Sequence, residues 1–108
     1  MIPRITVHEV RDRLAAGDKL HFVDVREPEE YAICHIEPSQ LLPLGELANR
    51  SSELDPPEHA LIVVYCHHGV RSITGVAILQ LHGFENLASM SGGIDAWSVL
   101  IDNSVARY

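Results

Sequence analysis

The sequence is short of several things, and each shortage closes off a class of protein. It has only two cysteines in 108 residues, Cys34 and Cys66. That is too few for the disulfide framework that replaces a core in small secreted domains, although one bridge is formally open. Basic residues are outnumbered: 8 Lys and Arg face 15 Asp and Glu, a formal charge of −7. Nonspecific nucleic-acid binding needs a basic face, so no nucleic-acid partner is expected. The same field repels small anions at long range. No apolar run approaches the ~20 residues of a membrane span, and Met1-Ile2-Pro3-Arg4 lacks the regions of a signal peptide. No membrane contact and a cytoplasmic location are the expectations. There is neither an internal repeat nor a low-complexity tract. The hydrophobic share, 46%, is ordinary for a chain that buries one core. Length fits a single domain over 1–108, with a core from about 5 to 100 and a short tail from Asp102.

Periodicity predicts strand and helix alternating four times. Ile5 lies in an extended lead-in. Thr6 and Glu9 form a capping box for a helix whose face is Val7, Val10 and Leu14, and Gly17 stops it. Leu20 to Val25 reads as a strand, and Glu27 to Ala32 as a short helix with Pro28 in its first turn. Leu41 and Leu42 suit a very short strand. Leu44, Leu47 and Leu54 mark a helical segment that Asp55-Pro56-Pro57 breaks. Ala60 to Tyr65 is apolar throughout, as a central parallel strand covered on both faces would be. Ser72 to His82 is the clearest helix, with Ile73, Val76, Ala77 and Leu81 on one face and Gly75 packed against the sheet. Leu87 to Met90 reads as a strand, and Gly92-Gly93 turns the chain into a helix where Ile94 and Trp97 share a face. The expected fold is α/β, a mainly parallel sheet with helices on both faces.

Cys66 falls between the clearest strand and the clearest helix. In such folds ligands bind beyond the carboxyl ends of strands. There backbone N–H groups converge and a helix dipole begins, which favours thiolate, the nucleophilic form of cysteine. Successive loop N–H groups form a nest for an anion, and Gly69 lets the loop curl because it accepts positive φ. Covalent catalysis through Cys66 splits a group transfer into two easier steps. Arg71 suits an oxyanion, or else a structural salt bridge to a nearby carboxylate; the sequence leaves both open. Asp24 and Arg26 lie just past a strand end, on the same edge as Cys66. His67 and His68 are adjacent on a tight loop with no further ligand at a recognisable spacing, so they read as polar lining of the mouth rather than a metal site. No metal and no cofactor is called for.

Three segments together resemble one family. Asp24-Val25-Arg26-Glu27-Pro28-Glu29-Glu30-Tyr31, followed by His35-Ile36, is similar to the first signature of rhodanese-like domains. Cys66-His67-His68-Gly69-Val70-Arg71-Ser72 is similar to their active-site loop, and Gly92-Gly93-Ile94-Asp95-Ala96-Trp97 to their final motif. The resemblance covers Ile5 to about Leu100. It implies a rhodanese-like fold and a sulfurtransferase: Cys66 as nucleophile and persulfide carrier, and His67, His68, Gly69, Val70 and Arg71 as the loop around it. Asp24, Arg26 and Ser72 would brace that loop. A small anionic sulfur donor such as thiosulfate, and a thiol, cyanide or sulfur-accepting protein, would be the partners. Two departures stand out. Cys34 occupies a position where the family usually has a small residue, and Pro38-Ser39 replaces its usual Gly-Ala.

Other readings compete. A partner-specific sulfur-relay or regulatory binding module is one, although the presence of Cys66 argues against a purely structural role. A cysteine phosphatase is another. Its loop has five residues between cysteine and arginine, whereas Cys66 and Arg71 have four between them, a shorter loop better suited to one sulfur atom than to a phosphoryl group. Oxyanion reduction would need Cys34 within disulfide reach of Cys66.

Overall fold

The computed structural model describes residues 1–108. Strands and helices alternate five times. They run β1 (Arg4–Ile5), α1 (Val7–Ala15), β2 (Leu20–Asp24), α2 (Pro28–Ile33), β3 (Ser39–Leu41), α3 (Leu44–Arg50), β4 (Leu61–Tyr65), α4 (Arg71–Leu81), β5 (Leu87–Met90) and α5 (Gly93–Leu100). A 3₁₀ turn at Ser51–Glu53 follows α3. The lead-in at Ile5 is thus a fifth strand, too short to show a period. All five strands are parallel, in the order β1-β5-β4-β2-β3. No helix is long and apolar enough to cross a membrane.

Strand β4 lies at the centre of the sheet and explains its unbroken apolar run. Leu61, Val63 and Tyr65 join the core beneath one face, with Val7, Val10, Ile94 and Trp97 from α1 and α5. Ile62 and Val64 join the core beneath the other, with Leu47, Val76 and Leu79 from α3 and α4. Period-two alternation therefore loads both faces with hydrocarbon, and a residue from either set is apolar. The capping box opens α1 as expected: Glu9 N–H donates to Thr6 Oγ1 at 3.1 Å, and Thr6 N–H to Glu9 Oε1 at 3.2 Å.

Two helix faces differ from expectation. Leu14 lies on the solvent side of α1, 43% exposed, while Val7 and Val10 are buried. On α4 the buried residues are Ser72, Gly75, Val76 and Leu79, and Leu81 stands out in solvent. That stripe includes a serine and a glycine, which a count of apolar residues passes over. Gly75 meets the sheet as expected: a Cβ there would lie 3.2 Å from Val64 Cγ1 and 3.3 Å from Val25 Cγ1.

The chain leaves β2 for β3 in one direction along the sheet and β4 for β5 in the other. The switch between them falls at the carboxyl ends of β2 and β4, where a crevice opens in sheets of this kind. Asp24 pairs across from Tyr65 at this edge, so Arg26 and Cys66 leave the sheet side by side.

Candidate active site

Cys66 is buried at the bottom of its loop. Its Sγ accepts hydrogen bonds from Gly69 N–H at 3.1 Å and from Ser72 N–H at 3.3 Å. The second donor belongs to the first turn of α4, where N–H groups have no partner inside the helix. Gly69 has φ +96°, and a Cβ there would lie 2.9 Å from Gly92 N. Behind the sulfur, the thiol donates to Ser72 Oγ at 3.5 Å, and that hydroxyl shares a hydrogen bond with Ser89 Oγ at 2.7 Å. Ser72 thus touches the sulfur directly, through both its N–H and its hydroxyl, in addition to opening the helix.

A second helix start holds the loop from beneath. Ile94 N–H donates to the Cys66 carbonyl at 2.9 Å, and Asp95 N–H to the His67 carbonyl at 3.1 Å. The unpaired N–H groups of α5 are thereby satisfied by the loop's own carbonyls. The Gly92-Gly93 turn, whose plainest role is to reverse the chain, also sets this close approach.

Arg71 has Glu30 as its hydrogen-bond partner. Its guanidinium grips Glu30 with both terminal nitrogens, at 2.7 and 2.9 Å, so of the two roles open to Arg71 the salt bridge is occupied. Glu30 also accepts from Glu27 N–H at 3.1 Å, capping α2. Arg71, more than any other group, holds the Glu30 carboxyl down to about 2 against an ordinary 4.5; burial opposes this, and Tyr108 assists it. A carboxylate whose affinity for protons falls on folding stabilises the fold above its ordinary value. That contribution fades as pH drops from about 4.5 towards 2.

Asp24 and Arg26 form a fully buried pair, 2.7 Å between Arg26 Nη2 and Asp24 Oδ2. Arg26 Nη2 also donates to the Cys34 carbonyl at 2.6 Å, and its Nη1 to the Tyr108 hydroxyl at 2.9 Å. Neither side chain of the pair is hydrogen-bonded to the Cys66 loop. The pair's connection runs through Tyr108, whose hydroxyl donates to Glu30 Oε2 at 2.6 Å, and so to Arg71.

His67 is half-buried and stacked on the Tyr108 ring, centroids 3.9 Å apart, with the His68 ring tilted by 30° at the same distance. Burial, and then the neighbouring His68, push the His67 imidazole below its ordinary value. His68 is exposed, 4.0 Å from Asp95. Val70 is 74% exposed at the tip of the loop. Cys34 is a second free, buried thiol, 3.9 Å from Arg26 Nη1. It packs in the core on the α1 and α5 face, whereas Cys66 belongs to the core on the other.

This arrangement can hold one anionic sulfur atom on a nest of N–H groups. A match to the rhodanese-like domain extends over residues 6–100. The chain belongs to the rhodanese-like family. Among relatives, it is 36% identical over 104 residues to the probable adenylyltransferase/sulfurtransferase MoeZ of Mycobacterium tuberculosis, covering 96% of this chain and 26% of that protein. The chain thus spans about a quarter of that relative's length. It is 33% identical over 98 residues to a sulfurtransferase of Allochromatium vinosum, covering 91% and 90% of the two chains. The crystal structure of a rhodanese-like domain protein from Staphylococcus aureus matches with a TM-score of 0.82 and 25% identity, over 99% of both chains.

Three participants escaped sequence reasoning: Glu30, Ser89 and Tyr108. Glu30 stands inside the first rhodanese-like segment, three residues after Glu27, a spacing that signals only a helix cap. Ser89 sits in the Leu87 to Met90 strand, where nothing in its neighbourhood singles it out. Tyr108 lies in the tail and carries no local signal.

Proposed function

We propose that the chain transfers a sulfane sulfur atom through a persulfide on Cys66. The observation that supports this best is the pair of N–H donors, from Gly69 and Ser72, converging on one sulfur. In the first step the Cys66 thiolate attacks the outer sulfur of thiosulfate. A new S–S bond forms on Cys66, the S–S bond of thiosulfate breaks, and sulfite leaves with the electron pair. The negative charge now lies on the persulfide, whose inner sulfur keeps the Gly69 and Ser72 N–H donors. In the second step an acceptor thiolate or cyanide attacks that sulfur. The product is an acceptor persulfide or thiocyanate, and the Cys66 thiolate is restored. Neither step calls for an external oxidant or a metal.

Intact mass after incubation with thiosulfate tests this. The protein is expected to gain one sulfur atom, lose it on addition of cyanide, and gain none as Cys66→Ala. No gain, or a gain that survives Cys66→Ala, refutes the assignment. A phosphatase is disfavoured by the length of the loop, which has four residues between Cys66 and Arg71 rather than five.

Donor binding would use the part of Arg71 that Glu30 leaves free, since a guanidinium has five N–H donors. Its side chain is 36% exposed, which leaves an edge open to a sulfonate. Arg71→Ala is expected to raise the KM for thiosulfate about tenfold, the size of one charge-assisted hydrogen bond. Steady-state kinetics with thiosulfate varied would show it; an unchanged KM would leave Arg71 only the task of holding Glu30.

A further inference from the structure

The segment after α5 does not trail into solvent. Val105 packs on the core and its carbonyl accepts from Ser98 Oγ at 2.6 Å. Arg107 Nε donates to Asp95 Oδ1 at 2.9 Å. These two attachments deliver Tyr108 to the active-site rim. Its ring lies parallel to the His67 imidazole, centroids 3.9 Å apart and planes 9° apart. Both capacities of its hydroxyl are used: it accepts from Arg26 Nη1 at 2.9 Å and donates to Glu30 at 2.6 Å. His67 is the first residue beyond Cys66, and Glu30 is bonded to Arg71, the fifth. One aromatic ring therefore bridges the two ends of the loop that encircles the sulfur.

We propose that Tyr108 is a specificity-determining residue that limits the size of the acceptor reaching the sulfur on Cys66. The acceptor side of this inference rests on the sulfur-transfer reading above; its access side does not. A small, linear acceptor such as cyanide can approach a rim that is bridged. A bulky thiol must first lift the ring from His67 and break its bonds to Glu30 and Arg26, one of them to a carboxylate and the other from a guanidinium. The bridge stays in place across ordinary pH. Burial, reinforced by the bond to Glu30, pushes the Tyr108 hydroxyl up to about 12, so it remains a donor. Burial, and then His68, push the His67 imidazole below its ordinary value, and its Nε2 is enclosed without a hydrogen-bond partner.

The test compares the full chain with Tyr108→Ala and Tyr108→Phe. Loaded protein is offered cyanide or glutathione, and kcat/KM is measured for each. Tyr108→Ala is expected to favour glutathione over cyanide about tenfold more than the unaltered chain does, the penalty of breaking a charge-assisted hydrogen bond having been removed. Tyr108→Phe keeps the ring but loses both bonds, and is expected to fall between them. A second measurement needs no sulfur transfer: the alkylation rate of Cys66, read at its own peptide, with iodoacetamide and with a bulky maleimide. Tyr108→Ala is expected to accelerate the maleimide more than the iodoacetamide. If no variant loads sulfur while this ratio still shifts, the transfer reading fails and the access role stands. If the variants remain folded by circular dichroism and the alkylation ratio is unchanged, Tyr108 does not control access and the proposal is overturned.

Discussion

Arg26→Met is expected to cost about 3–5 kcal/mol of stability, because it leaves the Asp24 carboxylate buried without its counter-charge. Both side chains of the pair are wholly inaccessible to solvent. Asp24 would keep only the backbone N–H of residue 26, which now donates to its Oδ1 at 3.0 Å. The Cys34 carbonyl would lose its 2.6 Å partner as well. Domains of this size are stable by about 5–15 kcal/mol in total, so the loss would consume a large part of it, and Tm should fall by roughly 10–20 °C. Urea unfolding of Arg26→Met measures the effect. The companion variant, Asp24→Leu with Arg26→Met, is expected to recover most of the loss, since a buried pair replaced by hydrocarbon of similar volume is often nearly neutral. A loss under about 1 kcal/mol in the single variant would show instead a pair as weak as one on a surface.

This pair also shows what the sequence makes legible. Asp24 and Arg26 were readable because they stand at and just past the end of a β-rich run, and Cys66 because it stands between a strand and a helix. The succession of strands and helices after β1 follows from local periodicity. What periodicity cannot supply is the identity of neighbours from distant parts of the chain. Glu30 meets Arg71 across 41 residues, and Tyr108 meets Arg26 across 82. Neither contact has a local signature, so Arg71 stayed divided between two roles and the tail looked idle. The α4 face was misplaced for a different reason. Apolar counting selects Leu81, yet the sheet needs a glycine at 75 for close packing and the Cys66 thiol donates to the hydroxyl of a serine at 72. A helix that serves a site buries residues chosen for chemistry and clearance, not only for hydrophobicity.

Gly93→Ala is expected to separate the architecture of the loop from its chemistry most sharply. Gly93 has φ +61°, and an added Cβ would fall 2.5 Å from the Cys66 carbonyl oxygen and into the His67 carbonyl as well. Those two carbonyls are the ones that accept from Ile94 and Asp95. Left-handed backbone costs a non-glycine residue about 1–2 kcal/mol, and forcing atoms into a packed site about 1–3 more, so a loss of about 2–5 kcal/mol is expected. Unlike a flexible side chain, a backbone carbonyl cannot rotate out of the way without moving Cys66 itself. Displacing a reacting atom by ~1 Å can cost a hundredfold in rate, and sulfur loading from thiosulfate should fall by about that factor even where the variant is fully folded. Gly17→Ala is the control. It has φ +83° but nothing within 4 Å of the added Cβ, so it carries the backbone strain alone, about 1–2 kcal/mol, far from the site. Thermal melts and loading rates of the two variants, measured side by side, decide the matter. If Gly93→Ala loses no more stability than Gly17→Ala and loads sulfur at the same rate, then the loop does not depend on the close approach of α5.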